Sequence, residues 1–245
     1  MQIKDYQVIV LGLLIALGSI CSTWILSKSV VEFHKLQNQT IRVTGSASQK
    51  ITSDSASWTI NFRTKKPLLK EGYAKLNSDA KLIKDFLMVN GIEENDISFS
   101  SINSYENYKR LPSGNTSNDI DTYTVYQSVT VKSNDINKFT EMSKKVDELV
   151  NKDINLNAER IQYFVSNLDD IKVQMVGEAA KNAKARAESM VAGTNGKIGV
   201  MNSARMGVFQ IVPVDSTEVN DYGINDTTSI EKKVVATVTA TFTVK

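Results

Sequence analysis

Residues whose side chains could do chemistry are few in this chain of 245 residues. His34 is the single histidine and Cys21 the single cysteine, so imidazole and thiolate groups cannot supply the several ligands that a zinc site needs. A Ser-His-Asp triad would have to use His34, which follows an apolar run and has no packed element to hold it near a nucleophile. We therefore expect no catalytic residue, no metal and no cofactor.

Acidic residues and glycines also lack the arrangements that catalysis or phosphate binding requires. Glu93 and Glu94 lie together in a polar connection, as do Asp169 and Asp170, and acids in such segments usually form solvated turns and caps. The Gly193–Gly196 segment has no P-loop lysine and follows a predicted helix instead of preceding one. These patterns indicate turns, and the chain is not expected to be an enzyme.

Four tyrosines gather around a polar segment at residues 111–121, which is rich in Pro, Gly, Asn, Ser and Asp. Together with neighbouring basic residues they could form a stacking surface for a nucleic acid or a glycan. Cross-strand pairs that stabilise a two-stranded ribbon are the alternative. A formal net charge of +2 does not favour nucleic acid, so none is expected as a partner. The candidate partner surface consists of Tyr105, Tyr108, Tyr123 and Tyr126.

An apolar run near the N-terminus predicts one helix across a lipid bilayer. No charged residue occurs between Tyr6 and Ser27, and residues 8–26 are long enough to cross a hydrocarbon layer of roughly 30 Å. We predict a short tail (1–5), a transmembrane helix (6–27) and a juxtamembrane linker (28–39). The side chains expected to anchor the helix in lipid are Val8, Leu11, Leu14, Ile15, Leu17, Trp24 and Leu26.

A cleaved signal peptide is the competing interpretation of this run. It would have a shorter apolar core and an A-x-A-like cleavage site, and neither is present. The positive charges on the two sides of the run do not favour export of the domain. Gly12 and Ala16 form a pair of small residues that could let two such helices approach closely, although small residues scattered in a lone helix are the alternative.

Periodicity predicts an α+β domain over residues 40–245. Alternating apolar residues around Ile41–Val43 and Trp58–Phe62 predict two adjacent strands. Apolar residues at helical spacing predict a helix over 67–89, with Pro67 in its first turn and Gly91 after its end. Two further strands, at about 97–108 and 123–132, would be joined by the polar loop.

The second half of the domain continues the same alternation of elements. We predict a helix over 136–150 capped by Ser133 or Asn134, a strand near 161–164, a helix over 168–192, and strands within 198–214 and 234–244. The strands would be mainly antiparallel, with two or three packed helices. The strand-helix-strand order occurs twice, which suggests an internal β-α-β duplication.

Several segments in this order resemble the SIMPL-domain family of bacterial envelope proteins. Ile41–Ala47 resembles the opening strand of that family, and Asp54–Ala56 resembles the entry to its second strand. Similar segments follow at Gly91-Ile92 and in the alanine-rich stretch Glu178–Ala192, and the likeness covers about residues 40–245. Ser53 is a departure, because the family usually has a proline there.

The resemblance implies an α+β fold and a domain on the extracytoplasmic side of the bacterial inner membrane. It also implies assembly, since some members form ring-like or channel-like oligomers, and some are linked to stress tolerance; no active site is implied. The leading hypothesis is thus a membrane-anchored, non-enzymatic, homo-oligomeric scaffold. The alternative is an envelope module that binds a small molecule, a glycan or a protein through the tyrosines.

Overall fold

A computed structural model describes residues 3–245, and the side-chain surroundings of these residues except 3–9, 11, 14 and 30–38. Helix α1 (Ile3–Asn38) is continuous and runs through most of the predicted linker. Within this described part of the chain, no helix combines the length and the apolar character needed to cross a membrane. Val8, Leu11 and Leu14 lie outside the described side chains, whereas the exposed ones include Ile15, Leu17, Trp24 and Leu26.

The remaining elements are runs of mainly antiparallel strands separated by helices, as expected for an α+β protein. In chain order they are β1 (Thr40–Thr52), β2 (Ser55–Lys66), α2 (Leu69–Val89), β3 (Ile97–Phe99), β4 (Asn103–Arg110), β5 (Thr116–Ser133), α3 (Ile136–Lys144), α4 (Asp147–Val150), β6 (Asn155–Ala158), β7 (Gln162–Phe164), α5 (Leu168–Ala192), β8 (Ile198–Met206), β9 (Gln210–Pro213), β10 (Ile224–Asn225) and β11 (Glu231–Val244).

The chain divides into two compact units, each built from separate segments. Unit 1 contains Met1–Ser48, Ile171–Phe209 and Val235–Lys245. Unit 2 contains Gln49–Asp170 and Gln210–Val234.

Unit 1 packs helix α5 on strands β1 and β11. The predicted boundaries of α5 are confirmed, and its buried side chains recur every four residues because that spacing keeps them on one helix face. Along β11 the alternate residues from Val234 to Phe242 are buried, as the sequence predicted. The resulting core joins Val43, Ala183, Ala187, Ala240 and Phe242.

Gly45 allows β1 to lie directly against α5. A Cβ atom at position 45 would collide with the backbone nitrogen of Ala183 and the carbonyl oxygen of Ala179, and it would lie 2.6 Å from the Cα atom of Ala183. Glycine at position 45 is therefore required for this close approach.

Unit 2 is built on an antiparallel sheet with β2 at its centre. β2 pairs with β5 on one side and with β6 and β7 on the other, while β3 and β4 both pair with β5. Trp58, Ile60 and Phe62 alternate along β2 and are buried. The Trp58 ring meets Phe139 of α3 edge-on, with ring centroids 6.2 Å apart.

Two helix starts differ from the predictions. α2 begins at Leu69 with Leu68 at its N-cap, so Pro67 precedes the helix and does not lie in its first turn. The cap of α3 is Asp135, not Ser133 or Asn134, because the Asp135 carboxylate accepts a hydrogen bond from the Lys138 N–H at 3.0 Å. The predicted helix over 136–150 is in fact two shorter helices, α3 and α4.

The strand predictions need three corrections. The predicted strand at about 97–108 is two strands, β3 and β4, because residues 100–102 belong to neither. β5 already begins at Thr116, so the predicted loop over 111–121 shrinks to residues 111–115, where Leu111 N donates to Asn115 O at 2.8 Å. Gly114 adopts a φ of 84° in this turn, a conformation that glycine permits. β1 and β2 are not paired neighbours, because β1 pairs with β11 whereas β2 pairs with β5, β6 and β7.

Candidate interaction surfaces

The hairpin of β4 and β5 places Tyr126 and Tyr123 on opposite faces of the sheet. Tyr105 is opposite Thr124, and the rings of Tyr105 and Tyr126 approach with centroids 6.1 Å apart. Tyr123 is opposite Glu106, and it points away from Tyr126 because successive strand residues alternate in direction. Tyr105 and Tyr126 therefore form one pair on their own face.

Tyr108 and Tyr123 line a second depression, which Tyr105, Glu106 and Leu69 also line. The Tyr108 hydroxyl donates a hydrogen bond to Glu106 Oε2 at 2.6 Å. That hydrogen bond, with the nearby negative charge, raises the pKa of Tyr108 above its ordinary value. The protonated phenol of Tyr108 is thus favoured. Its hydrogen bond to Glu106 is a surface contact and supplies no nucleophile.

A row of side chains that includes Tyr126 crosses four strands beside Tyr105. The strand register places Tyr126 opposite both Asn103 and Arg63, and Arg63 opposite Asn155. Residues paired in register share a face of the sheet, so these side chains follow one another across it. This row, named here the tyrosine row, consists of Asn103, Tyr126, Arg63 and Asn155.

A cleft of about 550 Å³ lies along the tyrosine row. Carboxamide side chains from three strands contribute to its wall, together with two tyrosines and one arginine. Its lining residues include Asn61, Arg63, Tyr105, Tyr126, Asn155 and Asn157.

Strand β8 in unit 1 presents an unprotected edge. Among the described residues β8 pairs with β11 alone, and Val200, Met201 and Met206 expose 74%, 54% and 53% of their surface. Arg205 is the charged residue of the strand. Charged side chains, prolines or a covering element usually block such an edge, and β8 has little of this protection.

Strand β1, which also pairs with β11, has its edge closed by helix α5. Asn182 Oδ1 accepts a hydrogen bond from Ser46 N at 3.1 Å, and Arg186 Nη1 donates one to Thr44 O at 3.0 Å. These side chains occupy backbone groups of β1 that another strand would need. For β8, the described side-chain contact to the backbone comes from Thr243 of the paired strand, at 3.5 Å from Val200 O.

Other reactive or charged groups have structural roles. Lys232 is buried and its Nζ donates to Tyr163 O and Asp226 O, each at 2.6 Å, and burial lowers the pKa of this amine. No group of three or more His, Cys, Asp or Glu side chains in the described part of the chain is arranged to hold a metal ion. At Gly12, a predicted helix contact, an added Cβ would meet no atom within 4 Å, and Ala16 is exposed.

Sequence reasoning located the tyrosines but missed both Arg63 and the β8 edge. The register that joins Arg63 to Tyr126 links strands far apart in sequence, so no local pattern reveals it. For β8 a local signal did exist, because Val200, Met201 and Met206 follow no strict alternation and cannot all face one core.

Comparison with known families finds one match over most of the chain. The SIMPL family model, described as "Protein of unknown function (DUF541)", matches residues 41–243. No curated protein matches this chain significantly.

Proposed function

Since the chain belongs to the SIMPL family, we propose that it is a membrane-tethered, non-enzymatic module that associates with further copies of itself through β8. The observation that carries the proposal is the edge of β8, which is exposed over apolar residues and pairs on one side only among the described strands. The location that goes with it, on the extracytoplasmic side of a bacterial inner membrane, follows from the resemblance given above.

Pairing between two β8 strands would stabilise an assembly in two ways. Backbone N–H and C=O groups at the free edge would form hydrogen bonds with the β8 of the other copy in place of water, as in any strand addition. Val200 and Met201 would also each gain a cross-strand neighbour on their own face, and such pairs contribute roughly 0.2–1 kcal/mol each. Arg205 is the only charge of β8 that opposes this pairing.

The closed edge of β1 sets the symmetry of the contact. If β1 were open, a β8-to-β1 contact could repeat from copy to copy and build rings or filaments. With Ser46 N and Thr44 O already bonded to α5, β8 pairs instead with the β8 of another copy, which gives a two-fold contact. A larger ring-like or channel-like scaffold would then need a second surface in addition to β8.

Helix α1 supports the proposed tether. Large apolar side chains between Val10 and Leu26 are exposed along it, and exposed apolar surface of this extent indicates a non-aqueous or protein partner. Confinement to a bilayer would raise the effective concentration of neighbouring copies, so even a modest β8 contact would be populated.

Size-exclusion chromatography with light scattering on the full-length protein in detergent tests the proposal. We expect a dimer or larger species at micromolar concentration, and a monomer for Val200→Lys, because the added charge would be buried in the pairing. Val219→Lys is the matched control, since Val219 is 76% exposed and lies outside the strands. A monomeric wild-type protein, or an unchanged Val200→Lys assembly, would contradict the proposal.

A second candidate function is favoured by the tyrosine row. Tyr105 and Tyr126 expose 51% and 43% of their surface in a single copy and stand beside a cleft. Exposed tyrosines next to polar groups are common in binding sites, because they provide large contact areas at low entropic cost. This candidate makes the protein an envelope module that binds a ligand.

A further inference from the structure

We infer that the tyrosine row binds a carbohydrate chain that carries acidic groups. The inference names the ligand class for the second candidate function, and it is independent of assembly through β8.

The aromatic pair provides the platform for a sugar ring. The rings of Tyr105 and Tyr126 are 6.1 Å apart and inclined at 56°, so the two do not stack closely on each other and each keeps exposed surface. One face of a pyranose is lined by C–H groups, which pack on the electron-rich face of an aromatic ring. The two phenol hydroxyls add hydrogen-bonding capacity at the ring edges.

Carboxamides beside the pair match the chemistry of sugar hydroxyls. Each hydroxyl both donates and accepts a hydrogen bond, and each asparagine side chain offers both functions as well. Asn155 and Asn157 are exposed on β6, and Asn61 directs its Nδ2 to Glu159 Oε1 at 2.9 Å. The Glu159 contact uses the Asn61 amide nitrogen and leaves its Oδ1 available as an acceptor.

Arg63 supplies the preference for an acidic sugar. Its guanidinium is exposed at the centre of the tyrosine row and makes no ion pair within the described part of the chain. The next basic residue on the same strand face, Lys65, lies 3.9 Å from Asp121. A planar guanidinium without a carboxylate partner can bind a uronic-acid carboxylate in bidentate geometry.

The dimensions of the tyrosine row favour a chain over a single sugar. The row crosses four strands, from β4 through β5 and β2 to β6. With strands about 4.8 Å apart, it extends over roughly 14 Å, which exceeds one pyranose ring.

Two other occupants fit the row less well. A single-stranded nucleic acid needs a cationic groove along its backbone, whereas Arg63 is the one cation among the residues that line the cleft. A peptide that adds a strand needs a free edge, and the row lies on the face of the sheet.

The test uses the full-length protein in a detergent without a sugar head group, with binding measured by calorimetry. The probes are a galacturonic acid hexamer, a neutral chitin hexamer and an oligo-dT of similar length. We expect the acidic hexamer to bind best, and Arg63→Gln to reduce its affinity to that of the neutral hexamer. Tyr105→Ala with Tyr126→Ala should weaken both sugars at least about tenfold, because two stacking contacts are lost.

Matched variants guard against a loss of folding. Tyr105→Phe with Tyr126→Phe keeps the rings and should keep most of the affinity, and Tyr222→Ala should change nothing, since Tyr222 is 96% exposed in a distant segment of sequence. Absence of binding to both sugars at millimolar concentration, equal affinity after removal of both tyrosines, or tighter binding of oligo-dT would overturn the inference. Val200→Lys should bind the acidic hexamer normally, so failure of assembly and failure of sugar binding are seen separately.

Discussion

Strands β1 and β8 both pair with β11, yet their outer edges differ in one decisive respect. The edge of β1 is closed by Asn182 and Arg186 of α5, whereas β8 exposes Val200 and Met201 with no such cover among the described residues. Backbone polarity is the same in both strands. In this sheet, side chains of a neighbouring helix therefore decide which strand edge remains open for association.

The charged edge of β4 in unit 2 extends the comparison. β4 carries Glu106, Lys109 and Arg110, while β8 carries Arg205 alone. Both strands contain two register irregularities with their partners, so distortion of the strand does not distinguish them. Charge protects the β4 edge from pairing, which leaves its hairpin available for the ligand proposed above.

The largest expected effect comes from disturbing the close packing of β1 on α5 at Gly45. Gly45→Val would force the backbone of α5 away from β1, because no flexible side chain there can yield. We expect the free energy of unfolding to fall by about 3 kcal/mol or more, at the upper end of the range for overpacked cores. Urea denaturation measures this change in the free energy of unfolding.

Gly177→Ala is the control within the same helix. An added Cβ at this position of α5 meets nothing within 4 Å, so the variant should gain up to about 1 kcal/mol from helix propensity. Equal losses in the two variants would contradict the close packing of β1 on α5.

A smaller effect is expected from opening the edge of β1 without disturbing its packing. Asn182→Ala with Arg186→Ala removes the two side chains bonded to Ser46 N and Thr44 O. Stability should fall by about 1 kcal/mol, and light scattering should show species larger than the dimer, since a second edge becomes available. Lys181→Ala, an exposed position of α5, should leave the mass unchanged.

The smallest effect is expected from a change near Asp54, in the turn after β1. It should alter the pH dependence of stability and leave assembly unchanged. The hydrogen bond that the Ser166 hydroxyl donates to the Asp54 carboxylate lowers the pKa of Asp54 below its ordinary value of 3.8. A carboxyl with a lowered pKa in the folded state contributes stability above the unfolded value and loses it as the pH falls through the folded one.

Ser166→Ala should therefore flatten the loss of stability below about pH 5 and leave the assembly at neutral pH unchanged. Unfolding measured as a function of pH, with wild-type protein as reference, tests this. If the stability of Ser166→Ala fell with pH as steeply as that of the wild type, Asp54 would gain no stabilisation from Ser166.

Local periodicity predicted the elements whose burial follows a simple repeat. The four-residue repeat from Ile171 to Ala187 and the stop at Gly193–Gly196 located α5, and the alternation from Val234 to Phe242 located the core of β11. The polar start of β5 was harder to predict. Residues 116–121 have mostly exposed side chains and the composition of a loop. Pairing with β4 supplies the backbone hydrogen bonds of this segment, and amino-acid composition does not predict such pairing.

The candidate surfaces were predictable only in part, for the same physical reason. Tyr105 and Tyr126 were recognised by residue type, but the separation of Tyr126 from Tyr123 depends on which strand face each occupies. Closure of β1 depends on contacts between residues more than 130 positions apart, such as Ser46 with Asn182, where |i−j| is 136. Such contacts exist only after the chain has folded.

A cysteine scan of β8 tests the central claim most directly. In a Cys21→Ser background, single cysteines at Val200, Asn202, Ser203 and Ala204 would report on a neighbouring copy, because disulfides form only when Cα atoms lie within roughly 7 Å. Two-fold pairing predicts a disulfide-linked dimer at one or more of these positions and none for Ser48→Cys on β1. Crosslinking at Ser48 equal to that in β8, or none anywhere in β8, would contradict the account.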